Sequence, residues 1–138
     1  FHPSGSLGAR LKTVEDLMLK GKKIPFISEN SGMKTALKII TKKKLGVLVV
    51  QNSKKKTNGI ITDGQLRRVS EKVDNFKDLK VKDVMTKNPI SIDMQVLAAK
   101  ALSLMNTKKI TSLCVHNKNK KKTVGIIHIH NILESNIQ

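Results

Sequence analysis

The sequence predicts an α/β (α+β) fold made of two pseudo-symmetric repeats of βαββα type, each a small mixed sheet with helices on one face. Three observations carry that expectation. The chain repeats itself at shifts of 64 to 67 residues. One segment of each half places apolar residues at i, i+3, i+4 and i+7, the spacing of a buried helix face. Short β-branched runs follow those segments, and strands interleaved with helices pack as a sheet covered by helices.

Taken in chain order, each element appears twice. Thr13, with Asp16 three residues on, has the spacing of a capping box and opens a leading helix at Val14-Glu15-Asp16-Leu17-Met18. That segment returns as Val81-Lys82-Asp83-Val84-Met85. Pro25 and Pro89 each lead a short strand. Met33, Ala36, Leu37 and Ile40 return as Ala98, Ala101, Leu102 and Met105, four positions expected on one helical face. The runs Leu45–Val50 and Ile110–Val115 read as buried strands. Basic turns follow at Lys54–Lys56 and Lys120–Lys122, then second strands at Gly59-Ile60-Ile61 and Gly125-Ile126-Ile127, each leading into a helix. The boundaries read as 1–12 for a tail and linker, 13–70 for the first repeat, 71–80 for an inter-repeat linker and 81–138 for the second repeat. A repeat of about 60 residues is marginal alone, so two are expected to share one core.

Composition narrows the functional classes. The 138 residues (15.3 kDa) are 38% hydrophobic, enough for a core, but contain three Phe, no Trp and no Tyr, so base-stacking platforms are close to excluded. A single cysteine, Cys114, rules out an internal disulfide and a Cys-clustered zinc site, and reads as a buried small hydrophobe in a strand. No apolar run approaches the roughly 20 residues of a bilayer span. The net charge of +17 would suit a polyanion, yet 24 of the 27 cations are Lys, and Lys, Asn and Ile together make 48 of the 138 residues. Arg dominates bidentate phosphate and base recognition, so the excess reads as composition bias on solvated loops, with no nucleic acid and no membrane as partner. The chain opens on Phe1, so a piece of a longer protein is expected.

Asp-x-Met, a Pro-led strand, Ala-Leu-x-x-(Ile/Met) and Gly-Ile-Ile-(Thr/His), twice over, resemble a pair of CBS domains, the Bateman module. The likeness covers about residues 13–137. Phe1-His2-Pro3-Ser4-Gly5-Ser6-Leu7-Gly8 further resembles the segment that ends the sugar-isomerase (SIS) domain of D-arabinose 5-phosphate isomerases. Thr62-Asp63-Gly64-Gln65-Leu66-Arg67-Arg68, Ile110-Thr111-Ser112 and His128-Ile129-His130 are similar to that family's CBS region. The departures are Ser4 for a Gly, and Gln65 and Asn131 where a carboxylate is common.

The resemblance implies a parent enzyme converting D-ribulose 5-phosphate to D-arabinose 5-phosphate on the way to Kdo and lipopolysaccharide. His2 matches an active-site His of that SIS domain, but the rest of such a site is absent, so no catalysis is expected here. Thr62 and Asp63 precede a helix whose free N–H groups favour an anion. In nucleotide-binding CBS pairs the Thr contacts phosphate and an Asp three residues later takes the ribose hydroxyls; plain helix capping is the alternative reading. Gln65 and Asn131 stand at the two Asp positions. His128 and His130, two apart on what reads as an extended segment, point to one face and suit an anionic ligand better than a metal, since no third ligand is near. Arg67 and Arg68 are open to phosphate, to Asp63 or to solvent. Thr111 and Ser112 begin the strand beside the one that ends at His128.

The expected ligand-binding set is therefore Thr62, Asp63, Gln65, Arg68, Thr111, Ser112, His128, His130 and Asn131, with no metal and no cofactor. The expected role is regulation and assembly of the isomerase in the cytoplasm: the pair senses a nucleotide-type metabolite, CMP-Kdo or AMP/ATP, and forms a homodimer, a tetramer in the full-length parent. A purely structural dimerisation module with a vestigial cleft is the alternative, favoured by Gln65 and Asn131.

Overall fold

The computed structural model describes residues 11–135. The elements in order are α1 (Val14–Leu17), β1 (Phe26–Ser28), α2 (Met33–Lys43), β2 (Val47–Gln51), β3 (Thr57–Thr62), α3 (Asp63–Lys72), α4 (Val81–Val84), β4 (Thr86–Lys87), β5 (Ser91–Asp93), α5 (Ala98–Lys108), β6 (Ser112–His116), β7 (Thr123–His128) and α6 (Ile129–Leu133). Short 3-10 turns lie at Gly21–Lys23 and Phe76–Asp78. The mixed α/β architecture expected from the repeat is present.

One compact unit spans Lys22–Pro89. Its sheet runs β1-β2-β3-β4, with β1 parallel to β2 and the other pairs antiparallel. Because side chains alternate across a strand, Leu48 and Val50 of β2 join Met33, Ala36 and Ile40 of α2 and Leu66 of α3 in one core, with Val81 of α4 added. Leu37 falls outside this stripe and stays 41% exposed, which corrects its expected place on the buried face.

The other unit joins the described residues up to Gly21 to those from Ile90 onward. Its sheet runs β5-β6-β7, with β5 parallel and β7 antiparallel to β6. Leu113, Val115 and Ile127 meet Ala98, Ala101, Leu102 and Met105 of α5, Ile132 of α6 and Val14 of α1. All four expected positions of α5 are buried.

These units cut across the repeats read from the sequence. Each leading segment packs into the sheet of the other repeat. Val14 N–H donates to Val96 O at 2.8 Å, Ala98 N–H donates to Lys12 O at 2.8 Å, and Leu19 exchanges both backbone hydrogen bonds with Ile126 (2.8 and 2.9 Å). In the Lys22–Pro89 unit, Val81 N–H donates to Ser31 O at 2.8 Å, and β4 pairs with β3 at Gly59 and Ile60. The two leading helices are single turns with boxes closed by Asp16 on Thr13 N–H (2.8 Å) and Asp83 on Lys80 N–H (2.9 Å).

Two boundaries differ from expectation. The strands begin at Val47 and Ser112 rather than Leu45 and Ile110. The helices before them end on left-handed lysines, Lys44 (φ 59°) and Lys109 (φ 56°), and Gly46 is also left-handed (φ 71°), so the residues between are still turning. The segment expected as a linker, 71–80, starts inside α3 and then packs Phe76 and Leu79 against the core.

Candidate functional site

Each unit presents a strand-to-helix turn, and the expected residues gather at these two turns. In the Lys22–Pro89 unit Thr62 ends β3 and caps α3. Its Oγ1 accepts from Gln65 N–H at 3.2 Å, while Gln65 Oε1 accepts from Thr62 N–H at 2.9 Å. The remaining Gln65 amide donates to Thr86 Oγ1 at 2.7 Å, tying α3 to β4. Asp63 pairs with Arg67 at 3.5 Å on an exposed surface, which resolves which arginine takes the aspartate. Arg68 lies over Gly64: a Cβ there would stand 3.2 Å from Nη1.

In the other unit His128 ends β7 and caps α6. Asn131 Oδ1 accepts from His128 N–H at 2.9 Å, and His128 Nδ1 accepts from the backbone N–H of His130 at 3.1 Å. The segment is therefore not extended through His130, as the two-residue spacing suggested; His130 is already helical. The two imidazoles nonetheless meet, stacked with centroids 4.8 Å apart and planes 28° off parallel. Burial, and then the neighbouring His130, push the His128 imidazole below its ordinary range. Ser112 is the cross-strand partner of His128, and its Oγ is buried with no hydrogen-bond partner. Thr111 is exposed, its carbonyl accepting from Ile129 N–H at 2.8 Å.

Ser112, His128, His130 and Asn131 thus converge on one turn, and Thr62, Asp63 and Gln65 on its counterpart. Both residues at the family's carboxylate positions, Gln65 and Asn131, are engaged in capping. His2 lies outside the described residues. Among the described residues no group of three or more His, Cys, Asp or Glu could hold a metal ion, and no helix is long and apolar enough to cross a membrane.

Sequence reasoning missed two polar features. The first is on the sheet face opposite the helix-packed core, where β5 and β6 carry Ser91, Ser112, Cys114 and His116. The Ser91 hydroxyl and buried His116 Nδ1 share a hydrogen bond. Burial pushes the Cys114 thiol up to about 11, with a hydrogen bond from Thr123 opposing the shift. The counterparts at the repeat shift are Phe26, Val47, Val49 and Gln51, so three of the four positions are apolar in the other unit. The second is an open cavity of about 460 Å³ in the Lys22–Pro89 unit, where Glu29 and Asn58 hydrogen-bond at 2.7 Å beside Lys82, Asp83 and Lys87. The matching positions are the apolar Met94 and Val124. In both places a comparison of the two halves, position by position, was the available signal.

The model of the family described as CBS domain matches residues 14–72 and 81–137. Arabinose 5-phosphate isomerase KdsD of Yersinia pestis is 36% identical over 99% of this chain and 41% of its own length, and KdsD of Escherichia coli K12 is 35% identical over the same shares. The chain spans about two fifths of the length of these curated relatives. Among solved structures, CBSX2 in complex with AMP matches with a TM-score of 0.80 at 21% identity, covering 92% of this chain and 97% of that one. The CBS domain pair of protein MJ0100, in complex with 5′-methylthioadenosine and S-adenosyl-L-methionine, matches with a TM-score of 0.78 at 22% identity over 90% and 94%. With a duplicated unit in its sequence, two small mixed sheets in its structure and the family match on both repeats, this chain belongs to the CBS domain family.

Proposed function

We propose that this CBS pair is the regulatory and assembly module of an arabinose 5-phosphate isomerase in the cytoplasm, and that it senses a nucleotide-type metabolite. The reading of the parent rests on the similarity to KdsD along 99% of the chain. The observation that carries ligand sensing is Ser112: a buried hydroxyl without a partner beside the His128 and Asn131 turn is unfavourable unless something else completes its bonding. The groups there are neutral and polar with no carboxylate among them, which suits an anionic sugar nucleotide such as CMP-Kdo better than a bare ribose. AMP and ATP are the generic alternatives, and the liganded relatives bind adenosine compounds.

Titration calorimetry with CMP-Kdo, AMP and ATP tests this. CMP-Kdo binds more tightly than ATP or AMP, and His128→Ala weakens it at least about tenfold, the loss of a hydrogen bond to charge. Equal affinity for His128→Ala and the parent chain, or tighter binding of ATP, defeats the assignment.

The engagement of Gln65 and Asn131 in capping favours a second reading, a structural module with a vestigial cleft. Under that reading none of the three nucleotides binds, while sedimentation equilibrium at micromolar concentration still gives twice 15.3 kDa. Assembly would use exposed apolar residues such as Leu37, Leu97 and Leu133, in an isologous two-fold contact.

A further inference from the structure

We propose that His128 makes the first turn of α6 a pH-sensitive element, its neutral imidazole closing the turn and its imidazolium releasing it. The donor at this contact is a backbone N–H, that of His130, at 3.1 Å from Nδ1. Nδ1 must therefore be unprotonated and the ring proton must sit on Nε2. Protonation fills the lone pair that accepts, so His130 N–H loses its partner at the same step. The new positive charge also stands at the N-terminal end of a helix, where the backbone dipole is positive, and against a second imidazole stacked at 4.8 Å. All three effects oppose the charged form.

Among the described residues, the groups facing His128 are few. From α6 it meets His130, from β6 the uncharged Ser112, and from its own turn Asn131, whose carbonyl takes the His128 N–H. Burial comes first among the influences that lower the imidazole, and His130 adds to it. The sign follows: neutral His128 is favoured in the fold, the closed turn is fully present above the ordinary value of 6.5, and it is lost as pH falls through the lower folded value. The other turn acts as an internal control. There Thr62 fills the same role with a hydroxyl that does not titrate. Ile132, fully buried in the core, keeps α6 docked, so the change is confined to the first turn.

Nitrogen-15 NMR of the chain, with no ligand added, tests the proposal. At about pH 7.5 the His128 ring shows a bare Nδ1 and a protonated Nε2. The protection factor of the His130 amide falls about fivefold, the worth of one helix cap, between that pH and about 5. His128→Thr holds the same protection at both pH values. His130→Ala keeps the backbone donor, removes the stacked ring and moves the midpoint upward. A protonated Nδ1 at about pH 7.5, or the same loss of protection in His128→Thr, overturns the proposal; a midpoint in His130→Ala that stays or moves down overturns the part given to the stacked pair.

Discussion

Met18 lies across Gly125 so closely that no side chain fits between them: a Cβ on the glycine would stand 2.9 Å from Met18 Cγ and 3.0 Å from the Leu19 carbonyl oxygen. Gly59 stands in the same relation to Met85 (Sδ at 2.9 Å) and to the Thr86 carbonyl oxygen at 2.5 Å. The backbone oxygens cannot move without breaking the strand pairing. Gly125→Ala and Gly59→Ala are each expected to lower stability by about 1–3 kcal/mol, as overpacking does. Urea unfolding reads this as a lower midpoint; unchanged midpoints would show that the leading segments do not rest on these glycines.

Gly32 is the contrasting position. It caps α2 without a side-chain hydrogen bond, at φ −86°, and a Cβ there meets nothing within 4 Å. Gly32→Ser is expected to raise stability by a few tenths of a kcal/mol. A measured loss of about 1 kcal/mol would contradict the open geometry.

Asp16 accepts from both the N–H and the hydroxyl of Thr13, and those bonds hold its carboxyl below the ordinary 3.8. A depressed carboxylate stabilises the fold above its unfolded value and loses that contribution as pH falls through the folded one. The acid limb of stability below pH 3.8 is therefore expected to be shallower in Asp16→Asn. The slope of unfolding free energy against pH, followed by circular dichroism, checks this; an identical limb in the variant would refute it.

Cys114 is 4% exposed, with its thiol raised to about 11. The thiolate is the reactive form, so a disulfide reagent at about pH 8 should label the native chain about a hundredfold more slowly than the urea-unfolded chain. Comparable rates would place the thiol in solvent.

The +17 charge should give weak binding to any DNA duplex, lost as salt approaches about 150 mM. Retention of one sequence over another by orders of magnitude at that salt would reverse the reading of the lysines as composition bias.

How far the sequence could be read depended on the kind of contact. Ala98, Ala101, Leu102 and Met105 were legible as a buried face because helical periodicity depends on the residue types themselves. The leading helices were legible as elements, through Thr13 and Asp16, but their destination was not. Val14–Met18 and Val81–Met85 are alike, and each fits either sheet by pattern. What assigns them is backbone pairing, at Leu19 and Ile126 for the first and at Thr86 and Ile60 for the second, which has no periodic signature; Gly125 and Gly59 leave equivalent room and do not discriminate. At the candidate site, the residue types gathered at the two turns were anticipated. The role of His128 as a helix cap was not, since histidine is an unusual cap; its alignment with Thr62 was the clue.

The exchange of leading segments also sets an order of events during synthesis. The unit spanning Lys22–Pro89 is one uninterrupted stretch, so all its strands and its α4 segment have been synthesised before β5 is made. The unit around Ile126 must wait: its Leu19 edge is among the first residues described and its β7 among the last, about a hundred positions apart. Closing such a distant pair is slow relative to local pairing. Meanwhile Val14 and Met18 emerge early, and their native cover is complete only when β7 arrives. A stalled or truncated chain would therefore hold one finished sheet and one exposed apolar segment, the kind of species that chaperones engage.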